Sequence, residues 1–184
     1  MIKRRLAVAV LSLSAAGLFG IVKHEGFSER ATVPTKNDRP TNCFGMTFRP
    51  DGSPVQLGDP CTPVEGIERS VNHIAKDETG LKRCVTGELS QAEYDILVDW
   101  TYQYGTQAAC KSSIVRHINA GRYPEACEAY TLYKYSGGYD CSTTINGKPN
   151  KRCWGVWQRN LERRNRCMEA VNGIGTDSGT TDRG

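Results

Sequence analysis

The chain has 184 residues, 38% of them hydrophobic, and a formal charge of +4. That is enough length for one domain with a real core, and the composition is too apolar for a disordered chain. Lys3, Arg4 and Arg5 stand ahead of an apolar run, and without them 21 basic residues face 20 acidic ones, a balance that argues against nucleic acid as a partner.

The eight cysteines, Cys43, Cys61, Cys84, Cys110, Cys127, Cys141, Cys153 and Cys167, are many for a cytosolic protein. None form a Cys-x-x-Cys pair, and His24, His73 and His117 do not fall beside them at zinc-ligand spacing. The even count therefore predicts disulfides formed after export, with the pairing left open and no metal expected.

Taken in order, Leu6 to Val22 is an uncharged run of 17 residues behind three basic ones. Such a flank keeps an N-terminus cytoplasmic and sends the rest of the chain outward. As a helix the run would span about 26 Å, short of a hydrocarbon core of roughly 30 Å, and it is rich in Ala, Ser and Gly. A cleaved signal peptide, with Ser14-Ala15-Ala16 as the small-residue site, and a short anchor are both open.

Glu25-Gly26 comes directly after it, and a polar, proline-broken loop then carries Asp38 and Thr41 and ends in Cys43-Phe44-Gly45. An acid on a helix followed by an acid and a hydroxyl on a loop is a workable way to flank a glycosidic bond. One carboxyl protonates the leaving oxygen while the other group manages water or positive charge on the opposite face. The plainer reading makes Asp38 a helix cap and Glu25 a solvated side chain.

From Ala31 to Pro60 the Pro, Thr, Asp and Gly content predicts short strands and hairpins, with Arg49 to Pro54 a turn. Thr62-Pro63-Val64-Glu65 opens a helix with a capping box, and Val64, Ile67, Val71 and Ile74 predict its buried face, with Gly80 as its end. His73 reads as a surface or boundary residue there. Ser90-Gln91-Ala92-Glu93 is a second capping box, ahead of a helix that carries Ile96, Leu97, Trp100 and Tyr104 as core and closes at Gly105. Pro124 to Tyr133 reads as a short helix. Cys141 to Cys153 encloses a polar loop that reads as an insertion stapled by a local disulfide. On the helix from Trp154 to Met168, Arg159, Arg163, Arg164 and Arg166 read as a solvated basic face able to approach acidic wall polymers. The tail from Asn172 is expected to be flexible.

Several of these stretches resemble one family, the phage-type lysozymes (endolysins of glycoside hydrolase family 24). Glu25-Gly26 matches its helix-end acid, and Thr41-Asn42-Cys43-Phe44-Gly45-Met46-Thr47 matches its following strand. In many members eight residues separate the second acid from the first, a position at which this chain has Pro34. A sub-branch instead reads Gly-Asp-x-Pro-Thr, which Asn37-Asp38-Arg39-Pro40-Thr41 fits. Tyr102-Gln103-Tyr104-Gly105 is similar to the family's Tyr-Asn-x-Gly turn, and Lys111 to Gly121 to its Ser-Thr-Leu-x-Arg-x-x-Asn-x-Gly helix. The last helix matches at Gly155, Val156 and Arg159, but Asn160 replaces an Arg and Arg163 replaces a Glu.

The resemblance implies an α+β, lysozyme-like fold, with a small β-containing lobe and a larger helical lobe around an intervening cleft. It implies a monomeric enzyme that hydrolyses β-1,4 bonds between N-acetylmuramic acid and N-acetylglucosamine in peptidoglycan and so lyses the host cell. Glu25 would be the general acid, kept protonated near neutral pH in the closed cleft. Asp38 would stabilise positive charge or orient water, and Thr41 would help place that water. No cofactor is needed. The resemblance adds a third reading of residues 1–22, signal-anchor-release. The chain would sit in the host inner membrane through residues 6–22, N-terminus in the cytoplasm and residues 23–171 periplasmic. It would later be released to the periplasm, with a functional link to a holin and 172–184 as tail. Cys43, two residues after Thr41, is either a plain disulfide partner or a redox lock. The rivals are a non-catalytic, disulfide-stapled wall-binding or lysis-regulating protein and a lytic transglycosylase.

Overall fold

The computed structural model describes residues 4–34 and 38–176. It divides into two compact units, Leu13–Thr79 and the remaining described residues, up to Ser12 and from Gly80 on.

In the Leu13–Thr79 unit the first helix, α1, spans Ala15–Glu25. Ser14 caps it by accepting the Gly17 N–H at 3.0 Å, and the Leu13 N–H donates to the Glu78 carboxylate at 2.8 Å. Helix N-termini leave such donors as the Gly17 N–H orphaned, so the Ser14 cap favours a start here, and the Leu13 contact fixes the chain just ahead of it. Gly26, at φ 69°, ends the helix in a conformation that only glycine adopts without cost. β2 (Ser28–Thr32) and β3 (Thr41–Cys43) come next as an antiparallel pair, Ser28 opposite Cys43 and Thr32 opposite Thr41, with the register shifting between them. An isolated bridge between Phe48 and Pro54 completes the short-strand region expected from its turn residues.

α2 spans Pro63–Cys84 behind the Thr62 cap, which accepts the Glu65 N–H at 3.2 Å. Two expectations about it are corrected. Val64 is 76% exposed, and Ile67 and Val71 are exposed as well; of the expected apolar face only Ile74 is buried. The inward face is instead Gly66, Arg69, Ser70, Ile74 and Asp77. Gly66 admits the Phe44 ring so closely that a Cβ there would stand 3.0 Å from it, and Arg69 anchors the preceding loop. Gly80, secondly, does not end the helix, which runs on to Cys84. A Cβ at Gly80 would lie 2.2 Å from the Thr106 Cγ2, so this glycine serves a close approach.

In the other unit, β1 (Leu6–Ala7) pairs antiparallel with β4 (Glu88–Leu89), and a 3-10 turn at Val8–Val10 continues the chain, with Val8 and Leu11 buried. Arg5 grips Glu93 at 2.7 and 3.0 Å and lies 3.4 Å over the Tyr123 ring. The run from Leu6 to Val22 is therefore a strand, a turn and then α1 rather than one helix. No helix among the described residues is long and apolar enough to cross a membrane. Ser14 starts the helix by capping it, and ahead of it the Ser12 backbone carbonyl accepts from Gln91 at 2.8 Å.

α3 (Gln91–Tyr104) has the expected reciprocal capping box of Ser90 and Glu93 and closes at Gly105. Trp100 is buried against Tyr104, with ring centroids 4.4 Å apart, and against Tyr133 at 4.8 Å. α4 (Thr106–Lys111) packs on α3, α5 (Ser113–Asn119) on α4, and α6 (Tyr123–Ala129) on α5, with a 3-10 turn at Tyr130–Leu132. Two short hairpins come next, β5 (Tyr135–Ser136) with β6 (Tyr139–Asp140) and β7 (Thr144–Ile145) with β8 (Lys148–Pro149).

The last helix, α7, spans Trp154–Thr176 and so continues five residues into the expected tail; residues 177–184 lie outside the described residues. Arg163 corrects the reading of a solvated basic face. It is 2% exposed, donates to Asp99 at 2.6 Å, and reaches Gln103 and Asn160. Removing one partner of such a buried pair costs about 3–5 kcal/mol, so the departure from the family pattern at this position serves the core. All eight cysteines pair, as Cys43–Cys61, Cys84–Cys110, Cys127–Cys167 and Cys141–Cys153. The last is the expected local staple.

Candidate active site

Glu25, Asp38 and Thr41 all belong to the Leu13–Thr79 unit. Glu25 is the final residue of α1, half-buried, and its carboxylate lies against the turn after β3. A Cβ placed on Gly45 would stand 3.0 Å from the Glu25 Oε2. Gly45 also sits at φ 75°, so two independent demands make this position glycine. The turn itself is tight: the Asn42 N–H donates to the Met46 carbonyl at 3.1 Å, and the Met46 N–H returns to Asn42 at 2.9 Å. Thr41, at its start, is half-buried and faces Thr32 across the strand pair. Asp38 stands exposed on the loop between β2 and β3, its Oδ1 accepting the Arg39 N–H at 2.9 Å.

Three anchors hold this turn against the helix end. Cys43 adopts φ 54°, a left-handed conformation that costs a non-glycine residue about 1–2 kcal/mol. Its disulfide to Cys61 closes a separation of 18 residues, for which chain entropy supplies about 3 kcal/mol, more than the strain. Arg69, only 9% exposed, donates to the Asn42 Oδ1 at 3.3 Å, to the Cys43 Sγ at 2.9 Å and to the Phe48 carbonyl. The Asn42 amide in turn donates to the Pro60 carbonyl at 3.2 Å. Phe44 lies on Phe27, two residues beyond Glu25, with ring centroids 5.4 Å apart. Further out, Arg49 forks onto Asp59 at 2.7 and 2.8 Å, which holds that carboxyl below the usual carboxylate range, chiefly through the hydrogen bond to Arg49.

Sequence reasoning named Glu25, Asp38 and Thr41 but missed Gly45 and Arg69 as positioning residues. Gly45 was visible within the Cys-Phe-Gly run. Arg69 carried no signal, because a sulfur and a carbonyl from a distant loop are its partners. The Cys43 and Cys61 sulfurs lie with the Glu65 carboxylate in a cluster of metal-ligand type, but a disulfide carries no thiolate to offer a cation.

A half-buried carboxyl at a helix end, pressed by a rigid turn that also carries a hydroxyl, suits proton delivery to a sugar oxygen. Comparison with known proteins identifies the family. The family described as phage lysozyme matches residues 22–152. The SAR-endolysin of Escherichia phage 933W is 31% identical over 172 residues, covering 82% of this chain and 94% of that protein. The endolysin of Salmonella phage P22 is 26% identical over 128 residues, covering 70% and 87%. An endolysin from Escherichia coli O157:H7 phage FAHEc1 shares the fold with a TM-score of 0.72 at 24% identity, covering 88% of this chain and 96% of that one, which bears out the lysozyme-like α+β expectation. With most of its length matched by family and relatives alike, the chain belongs to the phage lysozyme family of peptidoglycan-hydrolysing endolysins.

Proposed function

We propose that Glu25 is the general acid that protonates the leaving oxygen of the β-1,4 bond between N-acetylmuramic acid and N-acetylglucosamine. Asp38 stabilises the positive charge that develops on the sugar or orients the attacking water, and Thr41 helps to place that water. The observation that carries the assignment is the approach of the Glu25 carboxylate to Gly45, which ties the helix-borne acid to the turn opened by Thr41. The test is reducing-end release from purified peptidoglycan. Glu25→Gln is expected to lower the rate to near background while the thermal melt of the protein is unchanged. Normal release by that variant would refute the assignment. A harmless Asp38→Asn beside an essential Glu29 would mean that the second acid lies on β2 and not on the loop that follows it.

The fate of residues 1–22 belongs to the same reading. The chain acts in the periplasm as a monomer after insertion in the host inner membrane through residues 6–22, N-terminus in the cytoplasm, with a functional link to a holin. Two observations support release of the segment over cleavage. A relative with 31% identity carries the name SAR-endolysin, and residues 5–12 make specific contacts with Glu93, Leu89 and Gln91. Fractionation of expressing cells, with N-terminal sequencing of the periplasmic form, is expected to find residues 6–22 still attached. A periplasmic form that begins near Ala16 would establish cleavage.

A further inference from the structure

We propose that the stapled double hairpin at residues 134–153 is a docking surface for the carboxylate-bearing peptidoglycan strand, built from residues other than Glu25, Asp38 and Thr41. The proposal rests on the reading of this protein as a peptidoglycan hydrolase and names a second place where it holds its substrate.

Charge comes first. These twenty residues contain Lys134, Lys148, Lys151 and Arg152 against a single acid, Asp140. That is a net +3 where the whole chain carries +4. The one acid is spent internally: Lys134 pairs with it at 2.8 Å, and the Ser142 N–H and hydroxyl donate to it at 2.9 and 2.6 Å. Among the described residues no acid pairs with Lys148, Lys151 or Arg152, and all three are exposed.

The backbone displays rather than buries. Both ribbons close through two-residue turns with positive φ at both positions, Gly137 and Gly138 (56° and 82°) and Asn146 and Gly147 (52° and 73°). That is the tight-hairpin geometry these residue types favour. Two-residue strands cannot make a core of their own. The segment is instead held by the Cys141–Cys153 disulfide and by buried Asn150, whose amide donates to the Asp140 carbonyl and the Thr143 hydroxyl, both at 3.4 Å. On this frame Tyr135 is 61% and Tyr139 48% exposed, each with a cation at its ring: Lys134 Nζ at 5.6 Å from Tyr135, Arg152 Cζ at 4.3 Å over Tyr139.

Exposed tyrosine rings offer flat apolar bodies with a polar tip, to which the C–H face of a pyranose is complementary. Unpaired lysines on the same stapled segment attract carboxylates by charge. Peptidoglycan presents both partners together, sugar rings in a strand and carboxylates on the peptides attached to it. A neutral glycan would leave Lys148 and Lys151 without a role, and a simple polyanion would leave the tyrosines without one.

The full chain and two double variants, K148E with K151E and Y135A with Y139A, would be co-sedimented on ice with purified sacculi at low salt. Each double variant is expected to bind about tenfold more weakly, the worth of two or three exposed ionic or stacking contacts. The parent is expected to lose a similar factor at high salt, or on sacculi whose peptide carboxyls have been amidated. For K148E with K151E, turnover of soluble, peptide-free oligosaccharides of the same two sugars is expected to stay at the parent's rate. Unchanged sacculus binding by the charge-reversed variant would overturn the proposal. So would equal loss by that variant on peptide-free oligosaccharide, or parent binding to lipopolysaccharide vesicles and not to sacculi. If the parent releases no reducing ends, the catalytic reading fails, while co-sedimentation still decides this one.

Discussion

Gly45 shows how much of the site depends on a residue with no side chain. A methyl group there meets the Glu25 Oε2 at 3.0 Å and forces an alanine to φ 75°. The conformational cost is about 1 kcal/mol. A displacement of the carboxyl by a few tenths of an ångström costs about tenfold in rate, since misplacement by a full ångström costs about a hundredfold. Gly45→Ala is therefore expected to lower kcat about tenfold while stability falls by about 1 kcal/mol. Reducing-end kinetics beside a urea melt checks this, and equal kcat would mean that the turn does not position Glu25. Glu25 itself was legible in the sequence because an acid before a helix-ending glycine is a local pattern. Arg69 was not, since what distinguishes it is burial beneath Asn42, Cys43 and Phe48, residues that spacing along α2 cannot reveal.

At the scale of elements, α2 departs furthest from its sequence pattern. Alanine is a better helix former than glycine by about 1 kcal/mol, which would favour Gly80→Ala in an isolated helix. The 2.2 Å approach to Thr106 reverses the sign, because overpacking costs typically about 1–3 kcal/mol. Gly80→Ala is expected to lower the melting temperature, and adding Thr106→Ser, which removes the Cγ2, to restore most of it. A stabilised single variant would refute the contact. The β5–β6 hairpin gives a pH test. Asp140 is held at about 2, against 3.8 ordinarily, first by the hydrogen bond from Lys134 and then by those from Ser142. A carboxyl with a lowered folded-state pKa stabilises above its unfolded pKa, and that contribution disappears as pH falls through the folded value. The hairpin is thus expected to loosen between about pH 4 and pH 2 and not on the alkaline side of neutrality. Amide exchange at Cys141 and Ser142 reports it, and uniform protection across that window would contradict the pair's role.

Over the whole molecule the N-terminal run is where sequence and structure part. Leu6 opposite Leu89, buried Val8 and Leu11, and the Arg5–Glu93–Tyr123 contact make residues 5–12 part of the unit that begins again at Gly80. A chain beginning at Ala15 is expected to melt several degrees lower than the full chain, because it gives up this burial and the Ser14 cap of α1. Equal melting temperatures would show that the segment contributes nothing to the fold. The sequence by itself determined what is local: the acid at the end of α1, the caps at Thr62 and Ser90, the Gly and Asn turns, the staple from Cys141 to Cys153, and the order of motifs that marks the family. The tertiary structure alone decided which face of α2 is buried, that Arg163 is an interior partner of Asp99, how the other cysteines pair, and that an apolar run of anchor-like composition divides into strand, turn and helix. Each of these depends on partners tens of residues away, and periodicity along one segment carries no record of the surface against which it packs.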